Sequence, residues 1–154
     1  MAIFGSNKKN INGIKEQINK LIENLEILSN RYDSYIHTSN KRENCAQFDE
    51  GFAMICTHIT EFKNILYYDF LDEAQAMLTA IADKKSAADI KKLLSEKIAH
   101  IKRGWAKFDS DNHNKLIPIT EEYRLSDTEL ESILFKVDIV GQGLSDLEKQ
   151  LENI

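Results

Sequence analysis

The chain has 154 residues, of which 42% are hydrophobic and 29% are charged, with one proline and six glycines. This composition excludes collagen-like and grossly disordered chains, and the scarcity of turn residues argues against an all-β sandwich. A net charge of −5 at pH 7 argues against a general nucleic-acid binder, so nucleic acid is not an expected partner.

The apolar stretch near the N-terminus is too short for a secretory signal, and no run of about 18 apolar residues is present to span a membrane. We therefore expect a cytoplasmic protein without membrane insertion, in which residues 1–8 form a flexible leader and residues 9–154 form a single helical domain. The two cysteines, Cys45 and Cys56, fall in one predicted helix about 16 Å apart, too far for a disulfide.

A seven-residue apolar repeat is the strongest signal, and it is typical of long amphipathic helices packed nearly parallel to one another. In the first predicted helix the repeat is filled four times in succession, by Ile11/Ile14, Ile18/Leu21, Leu25/Leu28 and Tyr32/Tyr35. After a polar turn at 37–41, the second helix repeats it with Cys45/Phe48, Phe52/Ile55, Ile59/Phe62 and then Leu66. The repeat calls for an apolar residue at position 69, where the chain has Asp69. This mismatch predicts a kink or short break at 69–72, after which residues 73–83 resume as helix.

A third helix is indicated after the capping pattern at 86–89 by Leu94, Ile98, Ile101, Trp105 and Phe108, with Trp105 expected in the core. Polar residues around Pro118 then predict one long loop over 109–120. The fourth helix follows a capping box at 126–129 and carries Leu130/Ile133, Val137/Val140, Leu144/Leu147 and Leu151/Ile154. Gly141 and Gly143 predict either a kink in this helix or a fresh turn capped by Ser145.

Short connections between long helices favour antiparallel neighbours. The predicted fold is therefore all-α, an antiparallel up-down four-helix bundle with long heptad-patterned helices. An intertwined dimer is the alternative, because uninterrupted apolar seams also suit partner helices.

We expect no cofactor and no metal site in this protein. Di-metal bundles direct Glu and Glu-x-x-His ligands inward, whereas this chain has no Glu-x-x-His motif. Of its four histidines, His37, His58 and His100 fall on outer helix positions, and His113 falls in the predicted loop. The predicted loop at 109–120 begins like a calcium loop, but Asn114 stands where the turn glycine belongs, so a solvated turn is expected there.

Charge is unevenly divided along the sequence. Residues 83–107 hold eight basic side chains against three acidic ones, and residues 121–154 hold nine acidic against three basic. The basic third helix is expected to lie beside acidic neighbours and match them. Binding of an anionic partner or a phosphate group is the alternative.

The sequence Ala-His-Ile-Lys-Arg-Gly at 99–104 resembles the core motif of histidine-phosphotransfer domains, which carry Ala-His-x-x-Lys-Gly on one helix of a four-helix bundle. The resemblance covers these six residues. It implies a phosphoacceptor imidazole at His100, a charge-balancing Arg103 and room for a receiver partner at Gly104. The chain departs from the family at Lys102, where an apolar residue is expected.

Apolar side chains outside the predicted seams form a candidate partner surface, namely Tyr67, Tyr68, Phe70, Leu71, Phe135 and Ile139. The alternative is that they pack under the 73–83 segment or the long loop. The sequence contains no nucleophile–base arrangement, Gly-rich phosphate loop or dinucleotide fingerprint. The predicted function is therefore that of a non-catalytic adaptor or regulatory protein that contacts another protein or itself, with phosphotransfer through His100 as the alternative.

Overall fold

The computed structural model describes residues 5–39, 46–83, 86–124 and 128–154. Every regular element in these ranges is helical, which confirms the predicted all-α class. The elements are α1 (Gly5–Ser39), α2 (Ala46–Ile65), a π-helical turn (Leu66–Leu71), α3 (Asp72–Asp83), α4 (Ala87–Glu122) and α5 (Thr128–Leu151). Because α2, the π-helical turn and α3 follow one another without a gap, they form one helical arm.

The predicted apolar stripes are buried where their side chains are described, apart from the partly buried Ile154; Cys45 and Phe48 lie outside those residues. All eight stripe residues of α1, from Ile11 to Tyr35, are buried, and so are the stripe residues of α5 from Leu130 to Leu151. Trp105 is buried as expected, and its indole Nε1 donates a hydrogen bond to the backbone oxygen of Val137 at 3.1 Å. Burying each large aliphatic side chain stabilises the fold by about 1.5–3 kcal/mol.

Four sets of contacts join the long helices. Helix α1 packs on α5 and on the arm formed by α2, the π-helical turn and α3. Helix α4 also packs on α5 and on that arm. The start of α1 lies beside the end of α5, where the Asn10 side chain donates to the backbone oxygen of Asn153 at 2.8 Å. Arg31, near the end of α1, donates to Ser132 Oγ near the start of α5, at 2.8 Å.

The prediction of a long loop over 109–120 is wrong, because α4 continues to Glu122 and includes Pro118. The buried face of α4 runs on past Phe108 through Asn112, Leu116 and Ile119, at helical spacing. Because Asn112 in that face is polar, the apolar spacing in the sequence is interrupted after Phe108. The exposed ring of Pro118 lies in the last turns of α4, and because proline lacks a backbone N–H, the helix is short of one donor there.

The ends of the helices differ from the sequence-based boundaries. Helix α1 includes residues 5–8 of the expected leader and residues 37–39 of the expected polar turn, while residues 1–4 and 40–45 lie outside the described ranges. The cap of α4 is as predicted, since Ser86 Oγ accepts from the Asp89 backbone N–H at 3.2 Å. The capping box at 126–129 falls partly outside the described residues. Helix α5 is unbroken across Gly141 and Gly143, so a fresh turn at Ser145 is not present.

The π-helical turn explains why the apolar repeat fails at Asp69. Such a turn accommodates one residue more than an α-helical turn. Asp69 is exposed, and Phe70 takes the buried position instead. The buried residues of α3, Ala74, Met77 and Ile81, each follow one residue later than the repeat of α2 would place them. The predicted kink or break at 69–72 is therefore a continuous helical arm with a change of register.

Candidate functional site

The π-helical turn and the residue before it expose three large apolar side chains. Tyr67 is 51% exposed, Tyr68 is 66% exposed and Ile65 is 38% exposed. The two tyrosine rings contact each other edge to face, with their centroids 5.1 Å apart. These three residues define the surface that we call the tyrosine face. Within the described ranges the chain does not cover it.

Phe70 and Leu71, which the sequence placed on the partner surface, are buried. The Phe70 ring packs on Trp105 and Phe108 of α4, with centroid distances of 4.9 Å and 5.3 Å. The prediction is wrong for these two residues because the extra residue of the π-helical turn rotates them toward the core. They anchor the turn, and the tyrosines project from its outer side.

A groove of about 440 Å³ lies between the π-helical turn and α4, beside the place where they pack together. Its lining includes Tyr68, Asp69, Glu73, His100, Gly104 and Lys107. Tyr68, His100 and Gly104, which the sequence offered as parts of separate candidate sites, therefore line one groove, whereas Arg103 does not line it. The sequence could not show this, because it does not reveal which helix faces lie side by side.

The three motif residues His100, Arg103 and Gly104 are all exposed on α4. Gly104 also has a packing role, because a Cβ atom added there would lie 3.3 Å from Cε1 of Phe70. A side chain at 104 would push the ring that anchors the π-helical turn. The glycine thus lets the turn approach α4 closely, whether or not a partner uses the space.

The groove carries more negative than positive charge. The carboxylates of Asp69, Glu73 and Asp111 line it, against the single ammonium group of Lys107. Glu73 is partly offset by Lys97, whose Nζ lies 3.6 Å from its Oε2. Like charges repel, so this lining is unfavourable for a phosphoryl group and favourable for a cationic side chain.

Phe135 and Ile139 lie elsewhere. Phe135 is 65% exposed on α5, Ile139 is half-buried, and neither lines the groove. Helix α5 packs on α1 and α4, whereas the π-helical turn lies on the other arm. The partner surface predicted from the sequence is therefore divided between two places.

Two lysines of the basic helix contact acidic groups of neighbouring helices, and a third donates to a backbone oxygen. Lys97 pairs with Glu73, and Lys102 Nζ lies 3.0 Å from Glu148 Oε1. Lys91 donates to the backbone oxygen of Ile154 at 3.1 Å. These contacts agree with a basic helix that matches acidic neighbours. No helix in the described ranges has the length and apolar character needed to cross a membrane.

Asp109 and His113, assigned to the predicted loop, lie one helical turn apart on α4 and face Asp138 of α5. Sequence reasoning missed this arrangement because it ended the helix too early. The spacing of Phe108, Leu116 and Ile119 could have shown that the helix continues. Comparison with known proteins adds no assignment: the chain matches no protein family model, no curated protein and no solved structure.

Proposed function

We propose that the chain is an antiparallel up-down four-helix bundle that acts by binding another protein through the tyrosine face and the adjoining groove. The bundle arrangement is supported by side-chain contacts that join early residues of one helix to late residues of the next. Asn10 meets Asn153 and Arg31 meets Ser132 between α1 and α5, and Lys102 meets Glu148 between α4 and α5.

The observation that carries the binding proposal is the exposure of adjacent aromatic side chains beside a groove. Tyrosine combines a large apolar body with a polar tip, and it is enriched at protein interfaces. Tyr67 and Tyr68 each leave about half or more of their surface in solvent. A π-helical turn inside a longer helix is also a frequent mark of a functional site. The proposed role is non-catalytic.

Substitution of the two tyrosines tests this proposal. The double variant Tyr67→Ser/Tyr68→Ser should keep the wild-type melting temperature, because both side chains are largely exposed, but should lose the partner that wild-type protein captures from its native cells. Phe135→Ser, which removes an equally exposed aromatic ring outside the groove, is the matched control and should retain that partner. Light scattering at high concentration reports whether the partner is a second copy. Equal capture by wild type and the tyrosine variant would refute the assignment of the surface.

Phosphotransfer is the second candidate function, favoured by the exposure of His100, Arg103 and Gly104 on α4, of which His100 and Gly104 line the groove. It is placed second because the carboxylates of Asp69 and Asp111 line the same groove. Incubation with acetyl phosphate would label the chain with an acid-labile phosphoryl group if His100 accepts phosphate. His100→Gln should then abolish the label, while His37→Gln should leave it. An unlabelled wild-type chain would remove this candidate and leave the binding proposal intact.

A further inference from the structure

Three side chains with metal-binding atoms meet where α4 packs on α5. The Nε2 atom of His113 lies 3.1 Å from Oδ1 of Asp109 and 3.3 Å from Oδ1 of Asp138. Ligand atoms of all three residues lie within 4.8 Å of one another. The cluster is separate from the groove beside the π-helical turn, which none of these residues lines.

Helix geometry holds the cluster in place. Asp109 and His113 are four residues apart on α4, so their side chains project from the same face one turn apart. Asp138 approaches from α5, the helix that accepts the Trp105 hydrogen bond one turn before Asp109. The exposed fractions of the Asp109 and His113 side chains are 33% and 34%, so both are partly withdrawn from water while the site stays open on one side.

The separations match those between ligands around a tetrahedral metal ion. Zinc lies about 2.0–2.1 Å from histidine nitrogen and about 2.0–2.2 Å from carboxylate oxygen, which places neighbouring ligand atoms about 3.3 Å apart in a tetrahedron. The two histidine–carboxylate separations of 3.1 Å and 3.3 Å agree with this value. Three protein ligands leave the fourth position for water or an exogenous group.

The charges also favour a cation between these residues. Two carboxylates from different helices are brought together on the same imidazole nitrogen, since Oδ1 of Asp109 and Oδ1 of Asp138 both lie beside Nε2 of His113. A divalent ion between the carboxylates would offset their repulsion. An imidazole nitrogen among the ligands favours zinc and similar transition metals over magnesium and calcium, which prefer oxygen ligands alone.

We propose that Asp109, His113 and Asp138 bind one divalent transition-metal ion of the zinc class and that this ion links α4 to α5. The competing occupant is a proton, because a protonated His113 would form ion pairs with both carboxylates at the same distances. The two cases differ in their response to added metal, since an ion-paired histidine needs none.

Calorimetric titration of metal-free protein with Zn²⁺ at neutral pH tests the proposal. Wild type should bind one ion per chain, and His113→Gln and Asp138→Asn should each weaken binding at least about tenfold. Two matched controls, His37→Gln near the end of α1 and Asp72→Asn at the start of α3, replace exposed residues outside both the cluster and the groove and should bind as wild type does. All metal-free variants should keep the wild-type helical circular dichroism.

Thermal unfolding supplies an independent readout. Zn²⁺ should raise the melting temperature of wild type and of both controls, because an ion that binds only the folded state stabilises it. It should leave the melting temperatures of His113→Gln and Asp138→Asn unchanged. Absence of Zn²⁺ binding by wild type, or equal binding by wild type and the two cluster variants, would overturn the proposal and leave the protonated ion-pair network in its place.

Discussion

A buried hydrogen bond crosses the core at the level of single residues. The hydroxyl group of Tyr32 on α1 donates to Oδ1 of Asn112 on α4 at 2.6 Å, and Nδ2 of Asn112 donates to the backbone oxygen of Phe108 at 2.8 Å. Both side chains are fully buried. Asn112 is thus a polar residue in an apolar helix face, and both polar atoms of its side chain are hydrogen-bonded inside the fold.

Removal of both partners of this pair should cost less than the sum of the two single removals. Tyr32→Phe or Asn112→Leu alone should lower the free energy of unfolding by about 1–3 kcal/mol, because each leaves a buried polar group without a partner. The double variant should lose less than the sum of the two single losses. Urea unfolding of all four proteins measures the coupling, and simple additivity would show that the hydrogen bond does not link the two side chains.

The same tyrosine makes stability depend on alkaline pH. Burial raises the pKa of the Tyr32 phenol above its ordinary value of 10.0. The folded state therefore keeps the proton while the unfolded chain loses it, and the free energy of unfolding should fall as pH rises above about 10. Tyr32→Phe should show a shallower fall between about pH 9 and 11 in denaturant titrations. Parallel curves for the two proteins would contradict this effect of burial.

At the level of elements, the π-helical turn inserts one extra residue into the helical arm. Deletion of Tyr67 should convert the turn to regular α-helix and keep Ala74, Met77 and Ile81 on the buried face. The deletion variant should melt at or above the wild-type temperature, because regular helical hydrogen bonds replace those of the turn. Its partner binding should be lost with the tyrosine face.

Deletion of Gln75, an exposed residue of α3, is the matched control. It removes one residue after the turn and rotates Met77 and Ile81 by about 100° away from the core. Its melting temperature should therefore fall well below that of wild type. Equal melting temperatures for the two deletions, compared by circular dichroism, would show that the turn does not set the register of α3.

At the level of the whole molecule, core and surface positions on the long helices should respond differently to truncation. Leu25→Ala should lower the free energy of unfolding by about 2–5 kcal/mol, because Leu25 is buried and its loss leaves a cavity. Phe135→Ala should change it by less than about 0.5 kcal/mol, because the ring is largely exposed. Thermal melts of both variants give the comparison. A large loss for Phe135→Ala would mean that this ring is covered by another chain.

The sequence predicts the helical class and most of the core because apolar periodicity reflects burial directly. It misplaces the end of α4 because Asn112 is polar, and its buried hydrogen bond depends on Tyr32, eighty residues earlier. It also misses that Tyr68 and His100 line one groove and that His113 lies beside Asp138. Each of these arrangements depends on which faces of separate helices meet, and a single sequence carries no record of that pairing.

The position of Trp105 gives the protein an intrinsic optical reporter. It is the only tryptophan in the chain, it contacts Phe70 of the π-helical turn, and its indole donates to α5. Its fluorescence therefore reports on the junction of α4, α5 and the π-helical turn without any attached dye. A ligand in the groove would change the surroundings of the indole by displacing Phe70, and a change at the α4–α5 contact would alter its hydrogen bond to Val137. Quenching and emission wavelength can therefore follow both events in the unmodified molecule.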